Sequence, residues 1–124
     1  MNILVTGGKG FLGSSIVHRL LELGHKVETL SRSGDSEKNS DVTHHQLDLS
    51  KKVLNYKQFE GIECIFHTAA KAGIDGRYND YYTANYLGTK NILRLAKDIG
   101  VKYFIYTSSP SVVFSGKPIS GGNE

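Results

Sequence analysis

The first thirteen residues constrain the fold more than any other part of this chain. Asn2-Ile3-Leu4-Val5-Thr6 is a short apolar, β-branched run stopped by Gly7-Gly8, the pattern of a strand buried in a parallel sheet. The period then changes. From Phe11 to Leu23, Leu12, Ile16 and Leu20 recur four apart with Val17 and Leu21 beside them, while His18, Arg19 and Glu22 take the opposite face. Gly24 follows at the position where helices often end in a left-handed residue. Strand, glycine turn and amphipathic helix thus succeed one another without a linker.

The turn itself, Thr6-Gly7-Gly8-Lys9-Gly10-Phe11-Leu12-Gly13, fits two glycine registers. Gly8-x-Gly10-x-x-Gly13 is the common dinucleotide fingerprint, and Gly7-x-x-Gly10-x-x-Gly13 is its wider-spaced version. The physics is the same in both. One glycine accepts positive φ at the tight turn, Gly10 lets the backbone approach a pyrophosphate, and Gly13 lets helix and strand pack closely. Free amides at the helix start then bind the anion, through Phe11, Leu12 and Gly13. A glycine pattern alone is a plain structural turn as readily as a ligand site; its place between strand and helix favours nucleotide binding.

Further along, Lys26–Leu30 and Val42–Leu47 are expected as strands, joined through a polar stretch, Ser31 to Asp41, that is barely long enough for a parallel crossover. Ser50 is placed to cap a short helix running to Phe59, before Gly61 breaks the pattern. Ile62–Thr68 reads as a fourth strand, Asp80–Ile99 as a long helix closed by Gly100, and Val101–Thr107 as a fifth strand. Strands alternating with helices predict an α/β fold: a Rossmann-like, doubly wound parallel sheet of about five strands, with its ligand site beyond their carboxyl ends. Residues 1–114 are assigned to this one domain, and 115–124, which lack periodicity, to a loop at which the chain ends.

Composition removes other classes. With 124 residues the chain has room for one domain, whose core closes without a disulfide or metal staple. A single cysteine, Cys64, excludes an internal disulfide framework, no Cys/His cluster has zinc-ligand spacing, and a reducing cytoplasm is the expected compartment. The net charge of +3 comes without a basic stripe interleaved with aromatics, so no nucleic-acid partner is expected. Neither an apolar run of ~20 residues nor a signal peptide is present, so no membrane span is expected. His44 and His45 are adjacent on a strand and point to opposite faces, which prevents them from sharing a metal. Cys64 lies in an apolar strand and reads as a small buried hydrophobe; Tyr78, Tyr81 and Tyr82 read as packing residues before substrate contacts.

The choice of dinucleotide turns on the end of the second strand. An acid about 20 residues beyond the glycines would take the ribose 2′-hydroxyl of NAD, whereas an arginine suits the 2′-phosphate of NADP. Ser31-Arg32 stands there, Glu28 lies earlier within the strand, and Lys9 adds a cation inside the turn. Arg32 and Lys9 therefore favour NADP(H) over NAD(H).

With these residues placed, the sequence resembles the extended short-chain dehydrogenase/reductases, the NAD-dependent epimerase/dehydratase superfamily. The resemblance runs nearly end to end: Thr6 to Gly13 is similar to the glycine motif and Asp48-Leu49 to the adenine-contacting pair. His67-Thr68-Ala69-Ala70 resembles the fourth-strand motif, Asn85-x-x-Gly88-Thr89 the helix motif, and Tyr106-Thr107-Ser108-Ser109 the end of the fifth strand. Ala69 to Gly73, with Lys71 among them, and Thr107 to Val113 are most similar to 3-beta-hydroxysteroid dehydrogenase/isomerase-like reductases, a group that includes 2-alkyl-3-oxoalkanoate reductases.

The resemblance implies hydride transfer between a nicotinamide and the alcohol or carbonyl carbon of a hydrophobic, steroid-like or 3-oxoacyl substrate. It assigns Ala69, Ala70, Lys71, Thr107 and Ser108 to the cofactor's surroundings and makes Ser109 the hydroxyl that holds the substrate oxygen. The family's Tyr-x-x-x-Lys pair, in which the lysine lowers the tyrosine pKa, belongs on a helix after the fifth strand. No tyrosine follows Tyr106. Tyr86-x-x-x-Lys90 has the spacing but precedes Ser109, on a helix to which the family gives a structural and dimer-forming role. The chain is accordingly expected to be the N-terminal, cofactor-binding part of a dehydrogenase or reductase and inactive alone. Self-association is expected through apolar surface near Ile92 and Leu95. Nucleotide-sugar epimerase or dehydratase is the alternative enzyme class, and a non-catalytic dinucleotide sensor the alternative outside enzymes. A methyltransferase-like adenosyl site is more remote, because the acid it wants at the end of the second strand is lacking.

Overall fold

A computed structural model describes residues 1–34, 41–51, 55–68 and 82–107. Five strands, β1 (Asn2–Thr6), β2 (Lys26–Ser31), β3 (Val42–Gln46), β4 (Cys64–His67) and β5 (Tyr103–Tyr106), form one sheet in the order β3-β2-β1-β4-β5. Every pairing is parallel. The connection from β2 to β3 does achieve a parallel register, with Val27 opposite Val42 and Ser31 opposite Gln46. Returning along a five-residue strand takes about 17 Å, within the reach of the roughly ten residues that lie between.

Helix α1 (Phe11–Glu22) covers one face of the sheet and α2 (Gly88–Ile99) the other. Ile3, Val5, Val27 and Cys64 meet α1 through Leu20, while Leu4, Leu30 and Ile65 meet α2 through Ile92 and Leu95. The fold is therefore doubly wound, and the pivot between its halves lies between β1 and β4.

Three expectations need correction. Among the described residues Ser50 caps no helix: its amide and hydroxyl both donate to Asp48 Oδ1, at 2.9 and 2.6 Å, closing a turn after β3. The described helical segment there is a single 3-10 turn, Tyr56–Phe59, capped by Asn55, whose Oδ1 accepts from the Lys57 amide. Second, the Asp80–Ile99 helix is not uniform. Tyr82–Leu87 is wound as a π-helix before α2 begins at Gly88, a stretch in which Thr83 and Asn85 are weak α-helix formers. Third, Ile92 and Leu95 are 0% and 2% exposed, because their face of α2 packs onto the sheet. The large apolar side chains left exposed there are Leu93 on α2 and Tyr103, Ile105 and Tyr106 on β5.

Candidate functional site at the carboxyl ends of the strands

The glycine turn leaves β1 at Thr6 and enters α1 at Phe11. Gly7 has φ +68 and its amide donates to Leu30 O at 2.9 Å, while Gly10 N–H closes the turn on Gly7 O at 3.0 Å. Gly8 is not in the left-handed region, so the wider-spaced register, Gly7-x-x-Gly10-x-x-Gly13, describes the backbone. Gly8 is short of space for a different reason: a Cβ there would lie 2.7 Å from the Thr29 methyl. At Gly13 a Cβ would overlap the Gly7 carbonyl, 2.7 Å from its carbon, so α1 approaches the turn only because residue 13 lacks a side chain.

Gly10 puts no side chain on the amides of α1, and the first turn holds no acid. The positive end of the helix could thus receive an external anion, flanked by Phe11, 95% exposed, and Leu12, 46% exposed. Lys9 donates through Nζ to Gly34 O and so fastens the turn to the loop after β2. Arg32 stands exposed on that loop. Glu28 faces the other way, paired with His45 Nε2 at 2.7 Å beside the Phe59 ring.

Asp48 lies near Arg32. The Ser50 hydroxyl bond, with help from the Ser50 amide and the charges of Arg32 and Lys51, holds its carboxyl below the ordinary carboxylate range despite partial burial. Both of those hydrogen bonds fall on Oδ1. Leu49 is buried in the core under α2, and its carbonyl accepts from Asn91 Nδ2 at 2.6 Å.

At the β1–β4 pivot, a buried polar chain joins three of the sequence motifs. His67 Nδ1 lies 2.7 Å from Thr6 Oγ1 and its Nε2 3.0 Å from Thr89 Oγ1. Burial pushes the imidazole pKa down to about 4. A neutral ring carries one proton, so it donates to one threonine and accepts from the other. Thr68 completes the link, its amide donating to Thr6 Oγ1 at 3.1 Å and its hydroxyl to Thr6 O at 2.5 Å. Thr107 N–H donates to His67 O at 3.2 Å, and the Tyr106 ring stacks on His67 at 5.7 Å.

Among the sequence-assigned positions, Gly7, Lys9, Gly10, Phe11, Leu12, Gly13, Arg32, Asp48, Leu49 and Thr107 are described and lie along the carboxyl-end side of the sheet and the loops leaving it. Ala69, Ala70, Lys71, Ser108 and Ser109 lie outside the described residues, as do Tyr78 and Tyr81. The sequence reading missed the Thr6–His67–Thr89 chain, although it had placed each member in a motif. It also missed the grip of β3 on the loop after β2. His44 and His45 do face opposite ways, toward Thr29 and Glu28 respectively. Cys64 is buried, which raises its thiol pKa. Tyr86 and Lys90 are exposed at the junction of the π-helix with α2. Among the described residues no group of His, Cys, Asp or Glu could hold a metal, and no helix is long and apolar enough to cross a membrane.

The cradle fits a dinucleotide: close backbone approach at Gly10 and Gly13, an acid-free helix start and a basic loop after β2. Comparisons with known proteins agree with that geometry. A 2-alkyl-3-oxoalkanoate reductase of Stenotrophomonas maltophilia is 37% identical over 123 residues, covering 98% of this chain and 37% of the relative. A 3 beta-hydroxysteroid dehydrogenase/Delta 5→4-isomerase of Mycobacterium tuberculosis is 38% identical over 134 residues, covering 98% and 35%. Among solved structures, MoeE5 in complex with UDP-glucose and NAD superposes with a TM-score of 0.83 at 27% identity, covering 97% of this chain and 40% of that one. The chain thus spans about a third of the length of the curated relatives it matches. Residues 4–124 match the 3-beta hydroxysteroid dehydrogenase/isomerase family, and the chain belongs to that family.

Proposed function

We propose that this chain is the dinucleotide-binding part of an NADP(H)-dependent oxidoreductase that interconverts a secondary alcohol and a ketone on a hydrophobic, steroid-like or 3-oxoacyl substrate. The observation that carries the reading is the Gly7–Gly13 cradle at the β1–β4 pivot, where backbone replaces side chain at the place a pyrophosphate would occupy. The bound nicotinamide supplies or takes the hydride. The α1 amides of Phe11, Leu12 and Gly13 would hold the pyrophosphate and Asp48 and Leu49 would meet the adenine, while the family resemblance assigns Ala69, Ala70, Lys71, Thr107 and Ser108 to the cofactor's surroundings. Ser109 orients the substrate oxygen.

Arg32 and Lys9 supply the preference for a 2′-phosphate, since a bidentate guanidinium at the end of β2 replaces the acid that would accept a ribose hydroxyl. Arg32→Ala should weaken NADP(H) about tenfold or more and leave NAD(H) nearly unchanged by calorimetric titration, as expected for one charge-assisted contact. Equal affinities in the wild type would refute the NADP preference. The proton-transferring Tyr-x-x-x-Lys pair is missing after β5, so the 124-residue chain should bind dinucleotide without turnover. Turnover that disappears in Tyr86→Phe would overturn this.

A nucleotide-sugar epimerase or dehydratase is the second reading, favoured by the likeness to MoeE5 in its UDP-glucose complex. Turnover of a UDP-sugar, but of no steroid or 3-oxoacyl compound, by a longer protein carrying this chain would select it. We also place the protein in the cytoplasm, in keeping with a single buried free cysteine. Self-association belongs to the same reading. Exposed Tyr103 and Ile105 would carry it, and a stable monomer at high concentration by size-exclusion chromatography would refute it.

A further inference from the structure

The loop after β2 is held from the neighbouring strand. Parallel pairing sets Thr29 opposite His44 and Ser31 opposite Gln46, and alternate residues of a strand share a face. His44 and Gln46 therefore reach the same loop. His44 Nε2 lies 2.9 Å from Ser33 O, and because a carbonyl only accepts, Nε2 carries the ring proton. His44 Nδ1 then accepts from the Thr29 hydroxyl at 2.8 Å. Ser31 Oγ adds a second hydrogen bond to Ser33 O at 3.0 Å. Gln46 Nε2 donates to Arg32 O at 3.3 Å, and Lys9 Nζ to Gly34 O. The carbonyls of Arg32, Ser33 and Gly34 are all occupied by side chains.

That occupation has an electrostatic consequence. No described peptide bond is cis, and in a trans peptide the N–H points opposite to its own C=O. With the Arg32 and Ser33 carbonyls drawn onto Gln46 and His44, the amides of Ser33 and Gly34 face away from β3. Neither amide has an acceptor among the described residues. Two successive outward amides beside an arginine would offer an anion donors on a side free of the Arg32 and Ser33 carbonyl lone pairs that would repel it. Thr29 extends the support toward the glycine turn, since the methyl of the same side chain that holds His44 packs against Gly8.

We propose that His44 and Gln46 are positioning residues for 2′-phosphate recognition: by engaging the Ser33 and Arg32 carbonyls they turn the Ser33 and Gly34 amides and Arg32 toward the ribose phosphate. The inference rests on the NADP reading above. It adds that cofactor preference depends on two side chains of β3 that do not touch the phosphate.

Calorimetric titration of the 124-residue chain with NADP+ and NAD+ tests it, comparing wild type, His44→Phe, His44→Gln, Gln46→Leu and Arg32→Ala. His44→Phe should lower the NADP+/NAD+ affinity ratio by about fivefold, the range of one or two lost hydrogen bonds, with NAD+ affinity within twofold of wild type. Gln46→Leu should lower the ratio about twofold to threefold, through its single bond. His44→Gln, whose amide reaches toward the Nε2 position, should restore most of the wild-type ratio. An unchanged ratio in both His44→Phe and Gln46→Leu overturns the inference, as does an equal loss for both dinucleotides. If His44→Phe fails to melt cooperatively, Gln46→Leu, at an exposed position, carries the test. A wild type with no preference for NADP+ refutes the cofactor reading and the inference with it, whereas a preference lost in Arg32→Ala but kept in the β3 variants refutes the inference alone.

Discussion

Gly13 and His67 show how single residues set this site, one by having no side chain and the other by having a buried one. A Cβ at Gly13 would collide with the backbone of Gly7 rather than with a movable side chain, so α1 or the turn must shift to admit it. Gly13→Ala should therefore cost about 1–3 kcal/mol in urea unfolding, typical of overpacking, and should sharply weaken dinucleotide binding. His67 makes a prediction in pH. Its folded pKa, about 4, lies below the ordinary 6.5, so between those values the unfolded chain binds a proton that the folded chain does not. Stability should be unaffected by this group above pH 6.5, fall as the pH drops toward 4, and level off below. The loss attributable to it between pH 7 and pH 5 is on the order of 2 kcal/mol. His67→Asn should flatten that part of the urea-midpoint profile.

Among the elements, what was legible followed local chemistry. The β1 run, the Phe11 helix start, the β2 start and the Gly100 stop were all readable, because apolar period and glycine mark them without reference to the rest of the fold. The Gly100 stop is seen directly, with φ 70 at the end of α2. Ser50 was misassigned because a serine after Asp48 serves a turn as well as a cap, and only the neighbouring carboxylate decides which. The β3 grip on the loop after β2 was not legible, since it depends on the Thr29–His44 register, which hydrophobic period does not fix when Thr43, His44 and His45 are all polar. Asn91 was likewise invisible. Its side chain joins α2 to the Leu49 carbonyl at 2.6 Å and the Lys51 carbonyl at 3.3 Å, tying the helix to the loop that carries Asp48. Asn91→Ala should destabilise the fold by about 1–2 kcal/mol in denaturant unfolding, because it leaves a partly buried carbonyl without its donor. Asn91→Asp should not rescue it, since a carboxylate cannot donate.

For the molecule as a whole, two faces and one pivot explain the arrangement. The two described α-helices close on a parallel sheet whose central strands are buried, and the chain reverses its winding between β1 and β4, the switch point beyond whose carboxyl ends α/β folds of this kind bind ligands. The doubly wound parallel sheet was legible from the order of elements alone. Near Ile92 and Leu95 the exposed apolar side chain of α2 is Leu93, while Ile92 and Leu95 themselves are buried because the sheet takes their face. If the switch point holds NADP(H), saturating cofactor must raise the melting temperature in a concentration-dependent way, by mass action on the folded state. The most direct measurement is an amide-resolved NMR titration of the 124-residue chain with NADP(H). Saturable shifts concentrated at Gly7, Gly10, Phe11, Leu12 and Gly13, extending to Ser33 and Gly34, are the predicted result. No binding at millimolar cofactor, or shifts confined to surfaces away from the glycine turn, would contradict the account.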